Sequence, residues 1–140
     1  MTVIEKNIGF FTFMDDVIFH KIYFEDNQLN KEDFAGDVLY LGWGFNYLPR
    51  VMNSQVSSTT IIENSSEVIT WNNERNNQNP NWLVIEEDAA DFVTDQKFDT
   101  VVIDIWFEQI SQEELSYYVD KYSLMLKSNG KLIYLPHIVK

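Results

Sequence analysis

Asp37-Val38-Leu39-Tyr40-Leu41-Gly42-Trp43-Gly44-Phe45-Asn46-Tyr47-Leu48-Pro49-Arg50 is the stretch that decides the fold. A short apolar run ending on two closely spaced glycines reads as a buried strand and a sharp turn. Pro49 suits the first turn of a short helix, where its missing N–H forfeits no hydrogen bond. Strand, glycine turn and helix together open an α/β unit, and such units present their ligands at the carboxyl ends of the strands.

The alternation continues toward the C-terminus. Thr59–Ile62 reads as a second strand ending at Glu63, and Asn64 as the cap of a helix from about Ser65 to Asn73. The asparagine-rich stretch 72–81 reads as the end of that helix and a loop. Trp82–Ile85 and Thr100–Ile103 read as the third and fourth strands, the latter bounded by Asp99 and Asp104. Ser111 and Glu114 have capping-box spacing, and Leu115, Tyr118, Val119, Tyr122 and Leu126 fall on one helical face. Asn129-Gly130 is expected to end that helix, and Lys131–Leu135 to form a fifth strand stopped by Pro136. Strands separated by helices pair in parallel through right-handed crossovers.

Upstream, residues 8–25 read as a β-hairpin: Asp15-Asp16 at the turn and Val17–Phe24 as the second strand. The predicted organisation is a hairpin and connector over 1–36 and a Rossmann-like nucleoside-binding domain over 37–140, packed as one compact unit.

Composition narrows the chemistry. With 45% hydrophobic residues in 140, the chain can bury a core. No apolar run reaches the roughly 18 residues of a membrane span, and the N-terminus lacks a basic start followed by an apolar core, so a cytoplasmic, non-membrane location is expected. There is no cysteine, and only His20 and His137 offer imidazole, so no metal site is expected. A net charge of −12 repels phosphate backbones, which argues against nucleic acid as a partner, and attracts cations. Solubility accounts for the acidity equally well.

Four candidate features fall just after predicted strands. Gly42-Trp43-Gly44 lets the backbone turn sharply and approach a ligand. The dinucleotide fingerprint requires a further glycine where this chain has Tyr47, which disfavours a dinucleotide. Glu63 follows Gly42 by 21 residues, near the spacing at which an acid accepts from both ribose hydroxyls. Asp88 can accept from an adenine amino group, with the small Ala89 leaving room for the ring. Within the cluster Glu86, Glu87, Asp88 and Asp91, however, it equally reads as a solvated acid. Asp104 can bind an ammonium or take a proton from an amine nucleophile, or simply cap a loop.

The segments VLYLGWGFNYLPR (38–50), TIIENSSEVI (60–69), VIEEDAADFV (84–93) and FDTVVID (98–104) resemble the spermidine synthase-like branch of the S-adenosylmethionine-dependent methyltransferase superfamily. The resemblance implies a mostly parallel sheet in the order 3-2-1-4-5. It places Gly42, Trp43 and Gly44 beside the nucleoside and amino-acid end of the ligand, Glu63 on the ribose, Asp88 and Ala89 at the adenine, and Asp104 at the reacting centre as the catalytic residue. It implies S-adenosylmethionine or its decarboxylated form as co-substrate, transfer of a methyl or aminopropyl group or cleavage of the ligand, and a cationic amine as a further partner. Tyr40, two residues before the first glycine, matches the apolar residue of the aminopropyltransferase-like members. In place of their D-x-x-D pattern this chain reads Asp104-Ile105-Trp106-Phe107. The family adds two strands after the fifth that are not seen here. This favours, as the alternative, a shortened non-catalytic binding or assembly module, and a homodimer that covers the edge of the fifth strand.

Position in the pattern ranks the acids. Glu63→Ala is expected to weaken nucleoside-ligand binding by about 1.5–3 kcal/mol, the scale of a charge-assisted pair of hydrogen bonds. Glu86→Ala and Glu87→Ala should have little effect. Calorimetric titration of the three variants reads the order directly, and equal small effects would remove Glu63 from the ribose.

Overall fold

The computed structural model describes residues 16–105 and 111–134. Five strands form one parallel sheet: β1 (Asp37–Leu41), β2 (Ser58–Glu63), β3 (Leu83–Glu86), β4 (Phe98–Ile103) and β5 (Leu126–Tyr134), in the order β3-β2-β1-β4-β5. This is the expected 3-2-1-4-5 arrangement, with the order reversing between β1 and β4. Between the strands lie α2 (Leu48–Met52), α3 (Ser66–Glu74) and α4 (Gln112–Ser123). Ahead of the sheet come α1 (Asp16–His20) and a π-helical turn, Lys21–Asp26.

Both faces of the sheet are covered. On β1, Val38 and Tyr40 join one buried cluster with Tyr23, Phe34, Trp43, Leu48 and Met52. Leu39 and Leu41 join a second, with Phe92, Phe98 and Tyr122. Alternate strand residues point to opposite faces, so a strand buried on both sides must be apolar throughout. That is why 38–41 carries no polar/apolar alternation. At the amino ends of β1 and β4, Lys127 bridges Asp37 at 2.8 Å and Asp99 at 3.0 Å. The Lys127 hydrogen bond, with a second from Ser58, lowers the Asp37 carboxyl below its usual value.

Three local expectations are corrected. Val17–Phe24, expected as the second hairpin strand, is helical; the first strand, 8–14, lies outside the described residues. Phe19 and Tyr23, four residues apart and on one helical face, both stack on Tyr47 at centroid distances of 5.3 and 5.4 Å. Packing on that ring outweighs the β propensity of the segment.

Ser65, not Asn64, caps α3: its hydroxyl accepts from the Val68 N–H at 3.3 Å. Finally, α4 stops at Ser123, well before Asn129-Gly130. The Phe98 N–H donates to the Met125 carbonyl at 2.8 Å, drawing the chain into the sheet, so Leu126 belongs to β5. Asn129, at φ 67°, lies in an irregularity of that strand, where Phe98 pairs with Leu126 but Thr100 with Lys131. The Ser111–Glu114 cap is present, with the Glu114 N–H donating to Ser111 Oγ at 3.1 Å.

The glycine turn shows a division of labour. Gly42 has φ 97°, and a Cβ there would collide with the Asp104 carbonyl oxygen. Gly44 has φ 54°, and among the described residues a Cβ there would meet no atom within 4 Å apart from its own chain neighbours. Gly42→Ala is therefore expected to lower stability by at least about 2 kcal/mol, and Gly44→Ala by only about 1 kcal/mol. Urea unfolding midpoints measure both. Equal losses would show that Gly42 is not pinned against β4.

Candidate nucleoside-binding site

The candidate residues converge at the carboxyl ends of β1, β2 and β4. The Gly42 N–H donates to the Ile62 carbonyl at 2.8 Å, and the Asp104 N–H to the Leu41 carbonyl at 2.9 Å. The backbone thus continues the ladder one residue past each strand and draws the glycine turn, Glu63 and Asp104 together.

Glu63 is buried. Its Oε1 accepts from the Trp43 N–H at 2.8 Å and its Oε2 from the Ser65 N–H at 3.1 Å. One carboxylate therefore fixes the turn after β1 and the entry to α3. Trp43 is buried in the core, and its indole N–H donates to Asn46 Oδ1 at 2.9 Å. Asn46 takes a left-handed conformation at φ 65°, which Asn tolerates better than most residues.

From the other side, Asn72 Nδ2 donates to the Gly44 carbonyl at 2.9 Å. Asn72 is completely buried. The sequence reading placed Asn72 at the end of this helix without a role; the signal that could have marked it is its position four residues after the buried Val68.

Asp88 and Ala89 follow β3. Asp88 is exposed, and its Oδ1 accepts from the Ala90 N–H at 2.9 Å, closing a small turn. Ala89 is buried in the second core cluster. This pair lies at the tip of β3, beyond β2 from the glycine turn.

Asp104 has a partner that no spacing pattern pointed to. The hydroxyl of Tyr23, 81 residues away, donates to its Oδ2 at 2.9 Å. Tyr23 is buried, with its ring parallel to Tyr47 at 5.4 Å. An exposed ion pair between Arg50 and Asp16, at 2.7 Å, ties α1 to α2. Burial pushes the Asp104 carboxyl up to about 7; the Tyr23 hydrogen bond opposes the rise and the Glu63 charge adds to it. Burial, then the Asp104 charge, pushes the Tyr23 phenol well above its usual value. A half-buried acid that changes protonation near neutrality can hold a proton or release one.

A five-stranded 3-2-1-4-5 sheet with a glycine turn after β1 and a buried acid after β2 defines the Rossmann-like, methyltransferase-type class of fold. Solved structures share it. DhpI, in its complex with SAH, superposes with a TM-score of 0.73 at 16% identity, over 94% of this chain and 63% of DhpI. DesVI of Streptomyces venezuelae gives 0.66 at 17% identity, over 95% of this chain and 56% of DesVI. The glycopeptide N-methyltransferase MtfA, complexed with (S)-adenosyl-L-methionine, gives 0.55 at 22% identity, over 71% of this chain and 43% of MtfA. The chain thus spans less than two thirds of the length of each of these proteins. No protein-family model matches the sequence, and no curated protein matches it. Among the described residues, no three His, Cys, Asp or Glu side chains are grouped to hold a metal ion, and no helix is long and apolar enough to cross a membrane.

The raised Asp104 value has a consequence for stability. Between about pH 4 and pH 7 the folded chain holds a proton that the unfolded chain releases, so the contribution of this group falls as pH rises through that window. Asp104→Asn keeps an oxygen to accept from Tyr23 and removes the charge. It should leave stability at pH 4 nearly unchanged and raise it by about 1–3 kcal/mol at pH 8. Denaturation curves at the two pH values test this, and a gain at both alike would refute the burial of the charge.

Proposed function

We propose that this chain binds S-adenosylmethionine across the tips of β1, β2 and β3, and that it serves methyl transfer to an acceptor placed at Asp104. One observation carries the reading: a buried Glu63 braces the turn at Trp43, while among the described residues no atom beyond Gly44's own chain neighbours comes within 4 Å of where a Gly44 Cβ would stand. A backbone cradle with room over it, an acid at its rim and a fold shared with complexes of SAH and (S)-adenosyl-L-methionine together fit a nucleoside ligand.

In this reading Glu63 accepts from the ribose with the lone pairs its two backbone bonds leave free, and Asp88 faces the adenine. Gly42, Trp43 and Gly44 line the amino-acid end. The bound sulfonium supplies an electrophilic carbon, so the protein's tasks are placement and charge. Asp104 performs both at the acceptor: as the carboxylate it takes a proton from a nucleophile or holds a cation, and Tyr23 fixes its orientation.

Decarboxylated S-adenosylmethionine with aminopropyl transfer to a cationic amine is the narrower variant of this proposal. It draws support from the net charge of −12 and from Leu48-Pro49-Arg50, which opens α2.

Calorimetry with S-adenosylmethionine, its decarboxylated form and methylthioadenosine separates these readings. Binding of the first, lost in Gly44→Val with the fold retained by circular dichroism, is the expected result. Preference for the second selects aminopropyl chemistry. Binding of none in the wild-type chain rejects the proposal and leaves a non-catalytic binding module as the reading.

A further inference from the structure

The loop after β3 is held mainly from a helix remote from it in sequence. Three side chains of α4 donate to two consecutive carbonyls: Tyr122 Oη to Ala89 at 2.6 Å, and Tyr117 Oη and Lys121 Nζ to Ala90 at 2.9 and 2.7 Å. Tyr117 and Lys121 stand one turn apart on the helix, and Tyr122 follows Lys121 directly. Tyr122 is completely buried, and its ring packs in the same cluster as Ala89 and Phe92. Within the loop, the Ala90 N–H is capped by Asp88 Oδ1, and the Asp91 and Phe92 N–H groups donate to the Asp88 carbonyl. The loop's inward carbonyls therefore depend on α4, and a buried carbonyl that loses its donor must move toward water.

We propose that α4 is a specificity element of the nucleoside site, with Tyr122 a positioning residue that sets the Asp88–Phe92 loop against the purine base. The inference rests on the S-adenosylmethionine reading above and adds how that site chooses its base. Discrimination between bases that differ at one donor or acceptor needs a polar group held to within a few tenths of an ångström. Asp88 is exposed and cannot hold that position by its own packing. Tyr122 supplies the missing constraint from beneath, through the carbonyl of the next residue. Tyr117 is half exposed, so water replaces its bond readily, and its contribution is smaller.

The test compares S-adenosylhomocysteine with S-inosylhomocysteine, which differ only in the exocyclic group and N1 proton of the base. Calorimetric affinities are measured for the wild-type chain, Tyr122→Phe and Tyr117→Phe. The expected result is a wild-type preference for the adenine ligand that shrinks at least five-fold in Tyr122→Phe and less than two-fold in Tyr117→Phe. A general loss of stability lowers both affinities together and leaves the ratio unmoved. An unchanged ratio in Tyr122→Phe overturns this inference while the S-adenosylmethionine reading stands. Failure of the wild-type chain to bind either ligand overturns both. Should Tyr122→Phe prove too unstable to titrate, the double variant Tyr117→Phe/Lys121→Met, which strips the Ala90 carbonyl of both its α4 donors and keeps the buried phenol, must reduce the ratio in its place; no reduction overturns α4 as the specificity element.

Discussion

The bond from the Trp43 N–H to Glu63 Oε1 is the constraint on which the site depends. The turn after β1 has to leave the sheet, reverse and enter α2 within six residues, 42–47. A buried N–H at such a turn must find an acceptor, and the acceptor here is the side chain that ends the neighbouring strand. The same carboxylate takes the Ser65 N–H, so α3 starts where Glu63 lets it. From the opposite direction, Gly42 is wedged against the backbone of Asp104. Three strand tips are thus locked by a glycine without a side chain, a carboxylate with two bonds and a backbone contact. Among the described residues, they leave open space beside Gly44.

Around that junction the acids divide by environment. Asp37, Asp33, Asp99 and Asp16 have lysine or arginine partners near the surface, and such exposed pairs each contribute little to stability. Glu63 and Asp104 have backbone and phenol donors instead, Glu63 buried and Asp104 half-buried at the strand tips. Burial of a carboxyl without a cation raises its proton affinity, and Asp104 shows the result. The electrostatic character of the site thus comes from which acids the fold desolvates; a net charge of −12 spread over the surface does not supply it.

Much of the fold was legible in the chain because its signals are local. A continuous apolar run, a glycine pair and a capping-box serine each act within a few residues, and β1, its turn and the start of α4 stand where those signals put them. The misread boundaries share a cause. Asn129-Gly130 is a sound helix stop by itself, but pairing of Phe98 with the chain at Met125 ends α4 earlier. Asn64 is a good cap by type, but the Glu63 carboxylate takes the Ser65 N–H and turns the Ser65 hydroxyl into the cap. In each case a hydrogen bond to another element decided between two local choices of similar free energy.

The sequence by itself determined that a parallel sheet would carry Gly42, Gly44, Glu63 and Asp104 at its strand ends, because strand periodicity and turn chemistry are properties of neighbouring residues. Only the tertiary structure decided what those residues touch. It made 17–24 helical, since Phe19 and Tyr23 reach Tyr47 together only with helical spacing. It brought the Tyr23 hydroxyl to Asp104 across 81 residues, and Tyr122 to the carbonyl of Ala89 across 33. Such bonds form because burial removes water and leaves a polar group only the partners the packing brings near. A linear pattern cannot name those partners before the chain has closed around them.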